Sequence, residues 1–230
     1  MKMCVGGKWV DKPQKIEVIH PFDNHVVDTV PHGDKDDVNH ALDAAVRGAK
    51  AMAKLTAYER YQILKKTAEK IEARAEEFAR TITLEEGKVI AEGRYEVSRS
   101  VNTLTLSAEE AKRIHGETVP LDASPGGACK MGFTLRVPCG VVVAISPFNF
   151  PLNLVCHKVG PAVAAGNAVV IKPPSNTPLS GLKLTEVLLE CGMPPEAISC
   201  LTGPGGEIGD ALCRDQIGRA SCRERVYDLV

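Results

Sequence analysis

Three stretches decide the fold: Gly140-Val-Val-Val-Ala-Ile-Ser-Pro-Phe-Asn-Phe-Pro151, Gly166-Asn-Ala-Val-Val-Ile-Lys-Pro-Pro174 and Ile198-Ser-Cys-Leu-Thr-Gly-Pro-Gly-Gly-Glu-Ile-Gly209. Each holds a short apolar run and then breaks into a Pro- or Gly-rich turn. Continuous apolar runs of this length mark strands buried on both faces. Helical stretches separate them. Pro151 to Ala165 is one, and its proline suits a first helical turn. Leu179 to Glu190 is the next, ended by Gly192, and Gly206 to Cys213 opens a third. Strands and helices in strict alternation predict a doubly wound parallel sheet, with ligands at the carboxyl ends of its strands.

Upstream the pattern differs. Residues 1–33 read as short strands and turns: Gly6-Gly7 leads into Lys8-Trp9-Val10, and Pro21-Phe22-Asp23-Asn24 separates Glu17–His20 from Val26–Val30. Asp34 and Asp37 stand three apart, close to a capping box, ahead of Val38, Leu42, Ala45, Val46 and Ala49 at helical spacing. Thr56 can cap a second helix, whose buried face is Tyr61, Leu64, Ala68, Ile71, Ala75 and Phe78 and whose end is Gly87. A third runs from about Ile90 to Ile114. Residues 117–138 predict a protruding β-hairpin, with arms Glu117–Asp122 and Lys130–Val137 around Ser124-Pro125-Gly126-Gly127. It is either a plain surface hairpin or an oligomer contact through its edge strand.

Composition narrows the function classes. The chain has 230 residues, 28 Lys+Arg against 29 Asp+Glu, 44% apolar and 25% charged residues. This is the make-up of an ordinary globular protein with room for a sizeable core. A net charge of −1 argues against a nucleic-acid or anionic-membrane partner for the chain as a whole. No apolar run reaches the roughly 20 residues of a membrane span, and Met1 to Lys15 carries no secretory h-region. The eight cysteines show neither CxxC nor Cys/His ligand spacing, which argues against zinc and against a disulfide scaffold. The expected setting is a reducing cytoplasm, with cysteines serving as small buried hydrophobes.

The strand ends carry the candidate chemistry. Asn149 lies in a loop fixed by Pro147 and Pro151; a rigidly held Asn amide can donate to a developing oxyanion, or it can close its own turn. Lys172, at the end of the second run, can reach a ribose hydroxyl or phosphate, or be a solvated surface lysine. Gly203-Pro-Gly-Gly-Glu-Ile-Gly209 can let a pyrophosphate approach backbone N–H groups, or be a simple turn.

Taken together these motifs resemble the aldehyde dehydrogenase superfamily. Ser146–Pro151 matches its P-[WF]-N-[FY]-P motif, Gly166–Pro174 its G-N-x-[VF]-[VI]-x-K-P motif, and Leu201–Gly209 its phosphate turn. The resemblance runs from about Met1 to Asp215. It is similar to the lactaldehyde, succinate-semialdehyde and non-phosphorylating glyceraldehyde-3-phosphate dehydrogenase group. It implies a Rossmann-like cofactor domain with N-terminal helices at 1–116, an oligomerisation hairpin at 117–138 and a cofactor-binding core at 139–215. It also implies NAD or NADP as cofactor, a small aldehyde as substrate and a homo-oligomer when full length. Asn149 corresponds to the oxyanion-hole residue. Ile145, Ser146, Pro147 and Phe148 match family positions that line the cofactor, Lys172 matches the lysine on the adenosine ribose, and Gly205 and Gly209 match the turn and helix start beside the pyrophosphate and adenine. Strongly NAD-preferring members often hold Glu where this chain has Ser175; a carboxylate there repels a 2′-phosphate, so Ser175 implies that NADP is accepted.

The same resemblance implies a cysteine thiolate that attacks the aldehyde and a glutamate that activates water. None of the eight cysteines has the family's G-Q-x-C-like setting, and the F-T-G-S turn and catalytic domain do not follow. The doubly wound sheet is thus expected to be incomplete and the chain inactive alone. Residues 216–230 are expected to be non-native, because Ile217–Val226 back-translates as ATC GGA AGA GCG TCG TGT AGG GAA AGA GTG, a common sequencing-library adapter. Two other readings stand beside an aldehyde-oxidising parent. One is a non-catalytic nucleotide-binding or dimerisation module. The other is a relative that passes its acyl group to coenzyme A or phosphate.

Overall fold

The computed structural model describes residues 1–215 and the backbone of residues 220–223. Strands β1 (Met3–Val5) and β2 (Lys8–Val10) form a hairpin, followed by a second, β3 (Lys15–Ile19) with β4 (Val26–Pro31). Gly6 and Gly7 both have positive φ, +54° and +75°, which a two-residue hairpin turn of this hand needs. Helices α1 (Lys35–Met52), α2 (Ala57–Ala73), α3 (Ala75–Glu86) and α4 (Ile90–Ala111) come next. Both expected caps form. Asp34 accepts from Asp36 and Asp37 N–H while Asp37 accepts from Asp34 N–H at 2.9 Å, and Thr56 and Glu59 cap each other in the same way.

One helix was expected where α2 and α3 stand. Arg74 breaks it with φ −104° and ψ 22°. Its guanidinium turns to the Glu77 carboxylate at 2.8 and 2.9 Å and lies over the Phe78 ring. The apolar stripe continues through the break, so periodicity does not register it.

The hairpin of residues 117–138 is much shorter than its expected arms. Only β5 (Thr118–Val119) and β6 (Gly132–Phe133) pair. A 3-10 turn at Leu121–Ala123 takes the place of more strand. Met131, Phe133, Leu135 and Val137 stay largely exposed, so nothing packs the rest of the arms into register.

The α/β half follows as β7 (Val141–Ile145), α5 (Asn153–Ala164), β8 (Ala168–Lys172), α6 (Leu179–Glu190), β9 (Ile198–Cys200), a helical turn at Gly205–Gly209, α7 (Asp210–Arg214) and β10 (Ala220–Arg223). Pro151 was expected in the first turn of α5 and sits two residues ahead of it. The sheet order is β10-β7-β8-β9-β1-β2. The pairs β10–β7, β7–β8 and β8–β9 are parallel. The N-terminal hairpin adds two antiparallel strands at the far edge, where Cys4 faces Cys200. The parallel core is the one expected, and short strands at the chain start were expected too, but nothing in their sequence says which edge they will join.

The chain order explains the layers. From β7 the sheet grows through β8 to β9, then returns to place β10 on the other side of β7. With right-handed crossovers that reversal puts α5 and α6 on one face and α7 on the other. Helices α2, α3 and α4 back α5 and α6, while α1 packs on β7, β8 and β9 and meets α7. The reversal leaves a crevice at the carboxyl end of β7, the switch point where sheets of this type bind ligands. The expectation that residues 216–230 are non-native falls mostly outside the described residues; β10 is described there as backbone, and backbone pairing is indifferent to side chains.

Candidate functional site

At the rim of the sheet Ile145 is in register with Lys172, and Ser146 N–H donates to the Lys172 carbonyl at 3.2 Å. The loops after β7 and β8 therefore leave the sheet side by side. Leu201 N–H donates to the Ile171 carbonyl at 2.9 Å and brings the turn after β9 to the same rim. Ser175 Oγ then donates to the Gly203 carbonyl at 2.9 Å, which ties the second loop to the third. Ile145, Ser146, Lys172, Ser175 and the glycine turn thus converge, although 64 positions separate the first from the last.

Lys172 is not a surface lysine; it is 4% exposed. Burial lowers its ammonium to about 8, since little solvent remains to stabilise the charge. Its Nζ donates to Ser175 Oγ at 3.3 Å and meets no carboxylate among the described residues. An ammonium has three hydrogens. Two of them meet no acceptor among the described residues. Ser146 Oγ is also buried and has no hydrogen-bond partner among the described residues. An unmatched buried hydroxyl is costly, so such atoms point to a missing partner.

The turn after β9 tells the same story from the backbone. A Cβ built on Gly205, Gly206 or Gly209 would meet nothing within 4 Å. Packing within the chain does not call for glycine at these positions. At the start of a helical turn the first N–H groups have no intrahelical acceptor. Glu207 and Ile208 N–H donate to the Pro204 carbonyl at 3.2 and 3.1 Å, and the bare backbone and open space at Gly205 and Gly206 suit the close approach of an anion. A cleft of about 460 Å³ opens here between Lys35, Val38 and Asn39 of α1 and Gly206, Glu207 and Asp210.

Asn149 and Phe148 are exposed and Pro147 is half-buried on the first loop. Asn149 does not close its own turn. Its backbone carbonyl accepts from Lys88 Nζ at 2.6 Å, and its side-chain amide has no hydrogen bond among the described residues. Lys88 lies just before α4 and also pairs with Glu96 Oε2 at 2.9 Å and Glu86 at 3.1 Å. Glu96 is fully buried, and its other oxygen accepts from Leu152 N–H at 2.9 Å and Asn153 N–H at 3.1 Å. These two residues were not among those singled out from the sequence. The available signal was a carboxylate on the apolar stripe of α4, flanked by Gly93, Val97 and Ser100.

The cysteines divide. Cys4, Cys156, Cys191 and Cys200 are buried as expected, but Cys129, Cys139 and Cys213 are exposed. Burial pushes the Cys4 thiol up to about 11 and raises Cys156 and Cys200 as well. Thiols held protonated in this way are poor nucleophiles.

Fold and rim define the class first: an α/β domain of the doubly wound type, with the candidate residues gathered at the carboxyl ends of its parallel strands. Residues 9–220 match the aldehyde dehydrogenase family, and the chain belongs to that family. It is 48% identical over 214 residues to the 3-sulfolactaldehyde dehydrogenase of Priestia megaterium, covering 93% of this chain and 44% of that protein. It is 35% identical to the lactaldehyde dehydrogenase of Methanococcus vannielii, covering 93% of this chain and 45% of the relative. Among solved structures, the NADP-dependent glyceraldehyde-3-phosphate dehydrogenase of Bacillus halodurans, complexed with NADP, superposes with a TM-score of 0.90 at 34% identity. That match covers 94% of this chain and 46% of the other. The chain thus spans less than half the length of the relatives it matches.

Proposed function

We propose that this chain is the N-terminal, cofactor-holding part of an NAD(P)-dependent dehydrogenase that oxidises a small aldehyde to its carboxylate. The observation that carries the reading is the convergence at one rim of a buried lysine and a buried serine hydroxyl, the first without an acidic partner and the second unmatched among the described residues, with a glycine turn that has open space around it. Lys172 would hold the adenosine ribose, with Ser175 beside it. The N–H groups around Gly205 and Gly209 would take the pyrophosphate. Ile145, Ser146, Pro147 and Phe148 would line the path toward the reacting end, where Asn149 would donate to the substrate oxygen. The cofactor, when bound, accepts hydride. Ser175 leaves a 2′-phosphate unopposed, which supports NADP as a cofactor.

The names of the relatives favour a short polar aldehyde such as lactaldehyde, with or without a terminal anionic group. The cysteine nucleophile and general-base glutamate are assigned to sequence beyond this chain, and the chain alone is taken as inactive. The parent is taken as a cytoplasmic homo-oligomer that uses the 117–138 segment as a contact; among the described residues no helix is long and apolar enough to cross a membrane. Residues 216–230 are taken as adapter-derived, which one long sequencing read past the Asp215 codon tests.

The functional test is an assay of the parent protein on lactaldehyde and related short aldehydes with each cofactor. Reduced nicotinamide should form with NADP. Strict NAD use would refute the reading of Ser175, and no reduction with either cofactor would refute the function.

A further inference from the structure

The loop that carries Asn149 is anchored from outside the sheet. Lys88 and Glu96 come from the stretch around the start of α4, 61 and 53 residues earlier in the chain. They grip the loop at both ends. Lys88 Nζ holds the Asn149 carbonyl at 2.6 Å and lies 3.7 Å from the centroid of the Phe150 ring. Glu96 Oε1 holds the N–H groups of Leu152 and Asn153, where the loop passes into α5. Glu96 Oε2 closes the circuit on Lys88 at 2.9 Å. All five residues from 149 to 153 are thus touched by one ion pair or lie between its contacts.

We propose that Lys88 and Glu96 are positioning residues, an ion pair that sets the Asn149 amide against the substrate oxygen; this rests on the function proposed above. The physical case is one of direction. The Asn149 side chain is exposed and makes no hydrogen bond among the described residues, so its backbone is what aims it. The backbone carbonyl of that same residue is what the ammonium holds. A fully buried carboxylate is tolerated only where donors match it, and here two N–H groups and an ammonium do so. The pair is therefore stiff, and so is the peptide it holds. Oxyanion donors depend on being placed before the charge develops, and small displacements at a reacting centre cost large factors in rate.

A double-mutant cycle in the parent enzyme tests this. Asn149→Ala should lower kcat about 100-fold, as loss of one oxyanion donor does. Lys88→Met should lower kcat by about 10-fold or more. The dissociation constant for NADPH, read from its fluorescence, should stay within about 2-fold, because Lys172 and the glycine turn are untouched. The double mutant should be no slower than Asn149→Ala alone, within about 2-fold, because Lys88 acts only through Asn149. If Lys88→Met fails to bind NADPH and so to fold, Lys88→Arg, which keeps the charge beside Glu96 but moves the donors, takes its place in the cycle. Folded Lys88 variants with wild-type kcat, or losses that multiply in the double mutant, would overturn the inference and leave the proposed function standing. A wild-type kcat in Asn149→Ala would instead overturn the role given to Asn149, and the inference with it.

Discussion

Glu85, at the end of α3, is buried beneath the start of α6, and its carboxylate accepts from Leu179 N–H at 2.6 Å, Ser180 N–H at 3.0 Å and the Ser180 hydroxyl. It is a helix cap supplied by a residue 94 positions away. Burial pushes its carboxyl up to about 7, and the donors only partly offset that. Burial also raises Glu86 to about 7, against the pull of Lys88. An acid whose pKa is raised on folding binds its proton more tightly in the native state. Stability then falls as pH rises from the ordinary value of 4.5 through about 7. Chemical denaturation of the parent protein between pH 5 and pH 8 should show that decline, and Glu85→Gln should flatten part of it. Glu86 keeps the remainder. An unchanged slope in the variant would mean that Glu85 stays ionised across this range.

At the scale of elements, close approach decides which contacts tolerate change. Helix α1 lies on the 3-10 turn Pro195–Ala197 ahead of β9. A Cβ on Gly48 would stand 2.3 to 2.4 Å from backbone atoms of Glu196 and Ala197. Backbone cannot rotate aside as a side chain can. Replacing a mid-helix glycine by alanine gains about 1 kcal/mol of helix propensity. Overpacking costs about 1–3 kcal/mol and is at its worst against backbone. Gly48→Ala should therefore lower the Tm by several degrees, whereas Gly206→Ala, with open space around it, should not. A Gly48→Ala protein melting at or above the wild type would mean that α1 and the turn sit farther apart. The α2–α3 break teaches a related lesson. An arginine that prefers its own Glu77 and the Phe78 face can end one helix and begin another without disturbing the stripe of buried residues.

Over the whole molecule, what stands out is the apolar surface left open. Phe133 is 68%, Leu135 73%, Val137 78% and Met131 87% exposed, at alternate positions along one segment. Leu106 and Ile114 add a second apolar patch beside Pro161 and Ala164. Contiguous exposed apolar side chains favour association, and the short β5–β6 pair leaves unpaired backbone next to them. The 230-residue chain expressed alone should run as broad, concentration-dependent species in size-exclusion chromatography. A monodisperse monomer with one cooperative melt would contradict that expectation.

Most of the fold was open to a reader of the sequence. Caps at Asp34 and Thr56, the limits of α6 and the three parallel strands are written in local spacing, because hydrogen bonds between residues three or four apart and apolar periodicity are properties of neighbours. The rim motifs were legible for the same reason: Ser146 to Asn149, Lys172 to Ser175 and Gly203 to Gly209 each follow their own strand. What tertiary structure decided was everything carried across distance. The N-terminal hairpin joins the sheet beside β9, Arg74 breaks a helix, and Glu85 caps a helix that begins 94 residues later. Lys88 and Glu96 meet the Asn149 loop in the same way. Ion pairs and buried carboxylates follow no sequence period; their partners exist only once the packing of α4 on α5 has brought them together.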